Sequence, residues 1–353
     1  MNTLIKQLNP KHTKLSEPLS NHTTLKIGGK ADIFYEAFDT NDLVNTIKLA
    51  KYQSVPVAVI GWGSNILISD KGIRGIVIKN STKTIKIKGE KPIQESKARI
   101  SSRFEANKKT GSFKGIEMKD LDYDESKEMR IEVEMDSGVD LPFAIKYLID
   151  HGVTGLQWYA GIPGTIGGAV YNNIHGGTHL LSEVIEKVKV LDKELKIKEL
   201  KIKDMGFKYD KSRFHKTDEI ILTVTFNLFK GDVKKARLTA NEWAKRKKIQ
   251  PRNSAGCTFK NISERQKEKL NLPTTATGYI IEHALNMKGY KSGGVSISKD
   301  HANFIVNDGN AKALDYLKIM KLVYKNTFEK LKIKLIPEII LLGFEKEEIK
   351  EFI

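Results

Sequence analysis

Gly161-Ile162-Pro163-Gly164-Thr165-Ile166-Gly167-Gly168-Ala169-Val170 is the stretch on which the reading of this chain turns. Glycines this dense leave backbone amides and carbonyls open to close approach by a bulky or anionic ligand, and the stretch reads as a cofactor cradle. Upstream, Ile60-Gly61-Trp62-Gly63-Ser64-Asn65-Ile66-Leu67 follows the apolar run Val57-Ala58-Val59-Ile60. That is a strand ending in a turn able to offer amides to phosphate. Two such loops point to a dinucleotide. Neither is the G-x-G-x-x-G fingerprint, which sits between a strand and a helix; here Gly63 runs into Ser64-Asn65-Ile66-Leu67-Ile68, a strand again. Any one of these glycines also reads as a tight turn, but two clusters in one chain favour the cradle.

With 353 residues, 40% hydrophobic and 29% charged, the chain has the composition of a soluble globular protein with two or three domains. No apolar run approaches the roughly 18 residues that span a bilayer, and Met1 to Asn9 lacks the apolar core of a signal peptide. A cytoplasmic location without a membrane partner is expected. The single cysteine, Cys257, excludes an intrachain disulfide. A net charge of +17 would suit an anionic partner, yet the lysines are spread along the chain. In Lys187-Val188-Lys189-Val190 and Lys196-Ile197-Lys198 they alternate with apolar residues, as on the wet face of a strand. Only Lys245-Arg246-Lys247-Lys248 is a compact basic block, and at the end of a helix expected over 234–248 it also complements the helix dipole.

The pattern predicts a first α/β part over 1–80, with strands near Ala31–Tyr35, Val57–Ile60 and Ile76–Ile78 and a helix over 41–51. Ser81 to Glu128 is charged and poor in apolar periodicity, with a turn-like Lys108-Lys109-Thr110-Gly111-Ser112, and reads as a weakly structured insertion. A second α+β part continues to about 230, through a strand at 129–135, a helix around Phe143–Leu148, and strands at 187–191, 195–202 and 219–229. The last part, 231–353, carries the basic helix, a turn at Asn253–Cys257, helices at 278–286 and 311–330, and a strand at 335–342. Glu338 is a carboxylate in that otherwise apolar strand, where charge needs a partner or a use.

Taken together, Asn21-His22-Thr23-Thr24-Leu25-Lys26-Ile27-Gly28-Gly29, the two glycine loops, Ser254-Ala255-Gly256-Cys257-Thr258-Phe259-Lys260-Asn261, Gly293-Gly294-Val295-Ser296, Lys299 to Asn307 and Pro337-Glu338 resemble the UDP-N-acetylenolpyruvoylglucosamine reductase (MurB) family. The resemblance spans nearly the whole chain except the insertion. It implies an α+β fold: an FAD-binding domain of the vanillyl-alcohol-oxidase type in two α+β subdomains, then a C-terminal substrate domain. It implies FAD as cofactor, NADPH as hydride donor, and reduction of the enolpyruvyl ether of a UDP-sugar to the lactyl ether of UDP-N-acetylmuramate for peptidoglycan. Gly61, Gly63, Ser64 and Asn65 would lie near the pyrophosphate, and Gly161, Ile162, Pro163, Gly164, Thr165, Gly167 and Gly168 along the cofactor. Arg246, Lys260 and Asn261 would contact substrate, and no metal is called for.

In the family a protein acid, usually serine, protonates the carbon beside the one that receives hydride. Cys257 occupies that position here. A thiol, with an ordinary pKa of about 8.5, is a far stronger acid than an aliphatic hydroxyl. Glu338 matches the glutamate that acts on the substrate carboxylate. Three departures stand out. Where the family usually has Tyr-Arg-x-Ser the chain reads Tyr209-Asp210-Lys211-Ser212-Arg213, so Asp210 stands in place of the charge-stabilising arginine, and Lys211, Arg213 or another basic residue is expected to serve, with Arg213 the leading candidate. Asn173-Ile174-His175-Gly176-Gly177 lacks the family's aromatic substrate contact, with His175 filling some of that space. The insertion has no counterpart. The short stretch between Phe229 and Pro251 resembles the second type of the family, without the loop that closes over substrate. Two other readings compete: a related flavin oxidase with another substrate, and a non-catalytic protein binding nucleic acid or another polyanion through its charge.

Overall fold

A computed structural model describes residues 1–91 and 121–352. Contacts divide the chain into two compact units, one of Met1–Glu36, Leu49–Lys79 and Gln250–Ile353, the other of Ala37–Lys48 and Asn80–Ile249. These are not the cuts after 80 and 230 read from the sequence. The helix Val233–Lys248, expected with the C-terminal part, packs instead against Leu141–Asp150 and the turn Gln157–Tyr159 of the second unit.

In the first unit, strands Thr13–Pro18, Lys30–Ala37, Ile73–Asn80 and Val57–Ile60 form a sheet in that spatial order. Phe34, Ile60, Ile68 and Val77 pack together in its core. Residues from the C-terminal third add a second sheet, ordered Ser254–Cys257, Phe304–Asn307, Val295–Ile297 and Lys291–Ser292. The amphipathic helix Ala313–Leu331 buries Tyr316, Leu317, Met320 and Val323, a helical spacing, in the same core cluster as Val295, Ile297 and Ile305. Its first turn is capped from far away in sequence: the amides of Ala313 and Leu314 donate to the Asp70 carboxylate at 2.8 and 3.1 Å.

Two elements differ from the pattern. The helix expected over 278–286 opens as Thr277–Tyr279 and widens into a π-helix over Ile280–Ala284. The final strand is regular only over Ile340–Leu342, which runs parallel to Ile66–Ile68. Before it, Pro337 makes a single bridge to Phe259, and the hydrogen bonds come from its neighbours, because proline has no amide to give.

The second unit is an antiparallel five-stranded sheet, ordered Ile197–Lys201, Ile185–Leu191, Ile220–Phe229, Arg130–Asp136 and Ile85–Lys91. Val133, Met135, Val188, Val224 and Phe226 are buried on it, and Leu141–Asp150 contributes Leu141, Ala144, Ile145, Leu148 and Ile149 to the same core. Lysines on the wet face pair across strands, as Lys187 does with Glu199 at 3.0 Å. The strand Ile85–Lys91 corrects the reading of Ser81–Glu128 as weakly structured. Alternation in Ile85-Lys86-Ile87-Lys88 was the signal for it, and Lys88 and Lys91 meet Glu132 and Glu134 of the neighbouring strand. The turn-like Lys108–Ser112 lies outside the described residues.

The far end of that segment is also well anchored. The Leu121 carbonyl accepts from the Trp158 indole at 3.0 Å, and Glu125, 5% exposed, accepts from Thr154 Oγ1 at 2.7 Å and Gln157 Nε2 at 3.0 Å. Asp122 takes Thr178 Oγ1 at 2.6 Å and meets His179 Nε2 at 2.8 Å, while the His179 ring stacks on Trp158 at 3.6 Å. Burial works against the His179 cation, but Asp122 and Glu183 outweigh it and raise the pKa above 6.5. A raised folded-state pKa gives stability that is complete below the free-imidazole value and is lost as pH rises through the folded one. Asp122→Asn is therefore expected to lower the melting temperature more at about pH 5.5 than at about pH 9. Equal losses at both pH values would show that only the Thr178 bond counts.

Candidate active site

In the first unit three motifs far apart in sequence converge on one backbone seam. The Glu338 amide donates to the Thr258 carbonyl at 2.9 Å, and Lys260 donates to Ile336, so the segment after Cys257 runs alongside the segment that carries Glu338. Asn65 of the first glycine loop joins them: its Nδ2 donates to the Glu338 carbonyl at 3.2 Å, and its own carbonyl accepts from Ile340 at 3.0 Å. The seam places the thiol-bearing strand, the carboxylate and the glycine turn in adjoining backbone.

The turn expected at Asn253–Cys257 is a strand broken by a bulge. Ser254 faces Val306 and Cys257 faces Phe304, so one extra residue sits on the Cys257 side. Gly256 takes up the irregularity at φ +80°, and a Cβ there would meet nothing within 4 Å. A bulge of this kind re-aims the side chain that follows it, here the partly exposed Cys257. Next to it, Thr258 Oγ1 bonds Tyr316 Oη at 3.0 Å, and burial pushes the Tyr316 phenol far above its ordinary pKa, so it stays neutral. Lys260 and Asn261 continue the same segment. The Lys260 carbonyl accepts from Thr277 Oγ1 at 2.6 Å and Asn261 Oδ1 from the Thr277 amide at 3.2 Å, which fixes the start of the short helix there.

The glycines divide into two kinds. A Cβ on Gly63 would lie 2.2 Å from the His22 carbonyl oxygen, and one on Gly161 would lie 2.7 Å from Lys247 Cβ and 2.9 Å from Ala244 Cα, so both are required by the chain's own packing. Gly167 likewise presses on Ser137 at 2.8 Å. Gly168 is exposed, and only the capping Thr165 Oγ1 is near its Cβ position, at 3.5 Å. The Gly164 carbonyl accepts from Leu141, the Ile162 amide donates to Tyr159, and the exposed Pro163 lies between them.

Open polar groups remain beside both loops. Among the described residues the amides of Trp62 and Gly63 donate to no protein acceptor. Asp140, bridged to Thr165, has a buried Oδ1 with no partner, and burial raises its pKa. Free amides beside one loop suit an anionic group, and an unpartnered carboxyl beside the other suits a ligand hydroxyl or amine. Each loop, taken by itself, thus offers groups of a kind that FAD can use.

Arg213 sits where the sequence reading did not put it. Its guanidinium grips Glu219 through Nε and Nη2 at 2.9 and 3.1 Å, and Nη1 donates to the Asp204 carbonyl at 2.9 Å. That two-pronged pair uses the fork that a substrate carboxylate would need. Arg246, on the last turn of Val233–Lys248, lies 5.5 Å from the Trp243 ring centre. Sequence reasoning missed Asp140, whose only signal was its place ahead of Leu141-Pro142 at a helix start.

A family model described as an FAD binding domain matches residues 114–201, and one described as the UDP-N-acetylenolpyruvoylglucosamine reductase C-terminal domain matches residues 248–342. The class is thus an FAD-binding oxidoreductase. The chain belongs to the UDP-N-acetylenolpyruvoylglucosamine reductase (MurB) family. The reductase of Caldanaerobacter subterraneus is 31% identical over 333 residues, 93% of each chain. That of Caldicellulosiruptor bescii is 34% identical over 331 residues, covering 92% of this chain and 89% of its own. The crystal structure of MurB from Thermus caldophilus shares the fold, with a TM-score of 0.66 at 24% identity over 94% of this chain and 98% of that one. No helix among the described residues is long and apolar enough to cross a membrane.

The two kinds of glycine should separate on substitution. Gly161→Ala is expected to lower stability by about 1–3 kcal/mol, read as a fall in melting temperature, because it drives a methyl into a helix backbone. Gly168→Ala should leave the melting temperature unchanged or raised while reducing the flavin that co-purifies. Full flavin content in Gly168→Ala would remove that residue from the cradle.

Proposed function

We propose that this chain reduces the enolpyruvyl ether of UDP-N-acetylglucosamine enolpyruvate to UDP-N-acetylmuramate, using FAD and NADPH, in the cytoplasm. The observation that supports this reading most is the seam joining Asn65, Thr258 and Glu338, since Asn65 and Glu338 are 273 residues apart and meet where the Asn65 side-chain amide donates to the Glu338 carbonyl. FAD, when bound, supplies the hydride relay between NADPH and the enol ether. In the second unit the Thr165–Gly168 turn would hold it, with Asp140 accepting from a hydroxyl or amine.

Hydride addition to one carbon of the enol ether leaves an electron pair on its neighbour, delocalised into the attached carboxylate. Cys257 supplies the proton that ends this state, forming the new C–H bond as its S–H bond breaks, and the thiolate is reprotonated from solvent. The bulge at Gly256 and the pairing to Phe304 fix the backbone that carries the thiol. Glu338 stands by the substrate carboxylate, where it governs hydrogen bonding as charge builds. Its main chain cannot drift, because its amide and carbonyl are both taken. Lys260, Asn261 and Arg246 contribute contacts to the UDP-sugar, whose negative charge suits a strongly basic chain.

Anaerobic spectrophotometry tests the reading. NADPH should bleach the yellow protein, and the enol ether should restore the colour. In Cys257→Ala, bleaching should proceed as in the wild type while recovery slows roughly 10²–10⁴-fold, the usual contribution of a positioned acid; Cys257→Ser should keep turning over. Recovery at the wild-type rate in the alanine variant would rule out Cys257 as proton donor. A wild-type flavin indifferent to the enol ether would overturn the reaction itself.

A further inference from the structure

The sheet of the first unit that carries Cys257 has one face in the core and the other turned away from it. Val295, Ile297 and Ile305 belong to the core cluster. Ser296 and Val306, paired across two strands, share the opposite face, and so does Phe304, two residues before Val306 and the register partner of Cys257. Over this face lies a cavity of about 360 Å³. That falls in the range of small-molecule sites, about 300–1,000 Å³, and gives room for a phosphorylated sugar rather than a lone ion. Ser296, Ser298 and Val306 line it, together with the exposed side chains of Arg252, Lys291 and Lys299 and one exposed acid, Asp300.

The walls are fixed by backbone. Gly289 donates to the Ile297 carbonyl at 3.0 Å and Ile297 to the Tyr290 carbonyl at 2.8 Å, which straps the turn before Lys291 to the strand. The Lys299 stem lies over that turn, since a Cβ on Gly289 would sit 3.6 Å from Lys299 Cγ and Cε. Opposite, Ser254 Oγ donates to the Pro251 carbonyl at 2.8 Å and the Asn307 amide to the Asn253 carbonyl at 3.0 Å, bracketing Arg252. Ser298, 5% exposed, accepts from the amides of Asp300 and His301 at 3.0 and 3.4 Å, and among the described residues its own proton has no acceptor. Among the same residues Arg252 and Lys299 form no ion pair, and Lys291 meets Asp308 only at 3.7 Å. Unspent cations and a buried donor thus converge on one cavity.

Such a lining calls for concentrated negative charge. Both nucleotides of the proposed reaction carry a diphosphate, but NADPH alone adds a phosphate monoester, which holds about −1.5 to −2 charges on one group. From this we infer that the cavity takes the 2′-phosphate of NADPH, with Arg252, Lys291 and Lys299 as its cationic contacts, and so sets the preference for NADPH over NADH. The placement agrees. Phe304 to Val306 is a step of roughly 7 Å along the strand, and the next strand lies about 5 Å further across, so the cavity is displaced from the Cys257 position. The 2′-phosphate is likewise at the adenosine end of NADPH, away from the nicotinamide that gives up hydride. The inference rests on the proposed use of NADPH.

The measurement is calorimetric binding of NADP⁺, NAD⁺ and UDP-N-acetylglucosamine to the oxidised holoenzyme, in which no turnover occurs. Lys299→Gln and Arg252→Gln are each expected to weaken NADP⁺ by about 5- to 20-fold and together by about 100-fold, the worth of charged hydrogen bonds, with NAD⁺, flavin content and melting temperature unchanged. Lys299→Arg should keep the preference. Lys325→Gln, which removes the same charge from an exposed site on the helix Ala313–Leu331, should change nothing. Equal loss of NADP⁺ and NAD⁺, equal affinity of the wild type for both, or the same loss in Lys325→Gln would each overturn the inference. So would selective weakening of UDP-N-acetylglucosamine, which would give the cavity to the diphosphate of the UDP-sugar. The reaction is judged separately: a wild type that prefers NADP⁺ through these residues, yet whose bleached flavin ignores the enol ether, upholds the cavity and sinks the reaction, whereas normal recovery with no discrimination lost in the variants sinks the cavity alone.

Discussion

The parallel pairing of Ile340–Leu342 with Ile66–Ile68 is the constraint on which the site in the first unit depends. Two three-residue strands are weak by themselves, but they lock the register of what precedes each of them. Asn65 comes just before one strand and Glu338 just before the other, so the pairing delivers a glycine turn and a carboxylate to the same place. Through the Glu338 amide and the Thr258 carbonyl, it also fixes the segment that begins at Cys257. No periodicity in either strand announces this, because three residues are too few to show one.

Irregular backbone of this kind survives only where its polar groups are satisfied. Most of the carbonyls and amides around the second glycine loop are: Gly167 donates to Ser137, Ile166 to Val139 and Ala169 to Thr165. Ser137 in turn bonds the Ile221 carbonyl and receives Asn80, tying the start of the helix to the sheet. Against that background the open carboxyl oxygen of Asp140 carries information, since buried polar atoms are normally paired. The cradle is thus mostly self-supporting chain with a small number of free valences, rather than a loop in which every glycine serves a ligand.

Many of the lysines, though not the net excess of positive charge, have a local role among the described residues. Lysines on the five-stranded sheet pair with acids on neighbouring strands, and Lys245 of the basic block with Glu242 one turn earlier. Such exposed pairs each contribute about 0–1 kcal/mol and act more on register than on stability. What they do explain is why the strand Ile85–Lys91 was hidden from the sequence reading: its charges made a paired edge look like a solvated excursion.

By itself the sequence determined the local and the additive: helices such as Ala313–Leu331 from apolar spacing, strands from alternation, the glycine loops from composition, and the family from the order of its motifs. Tertiary structure alone decided who pairs with whom. It showed that Gly161 is a packing glycine, that Arg213 is bound to Glu219, that the bulge at Gly256 aims Cys257, and that His175 meets Asp210. The reason is physical. Periodicity reports which face of an element is buried and is written within a few residues, whereas a hydrogen bond or ion pair depends on the distance and direction between groups that the chain brings together only when it folds.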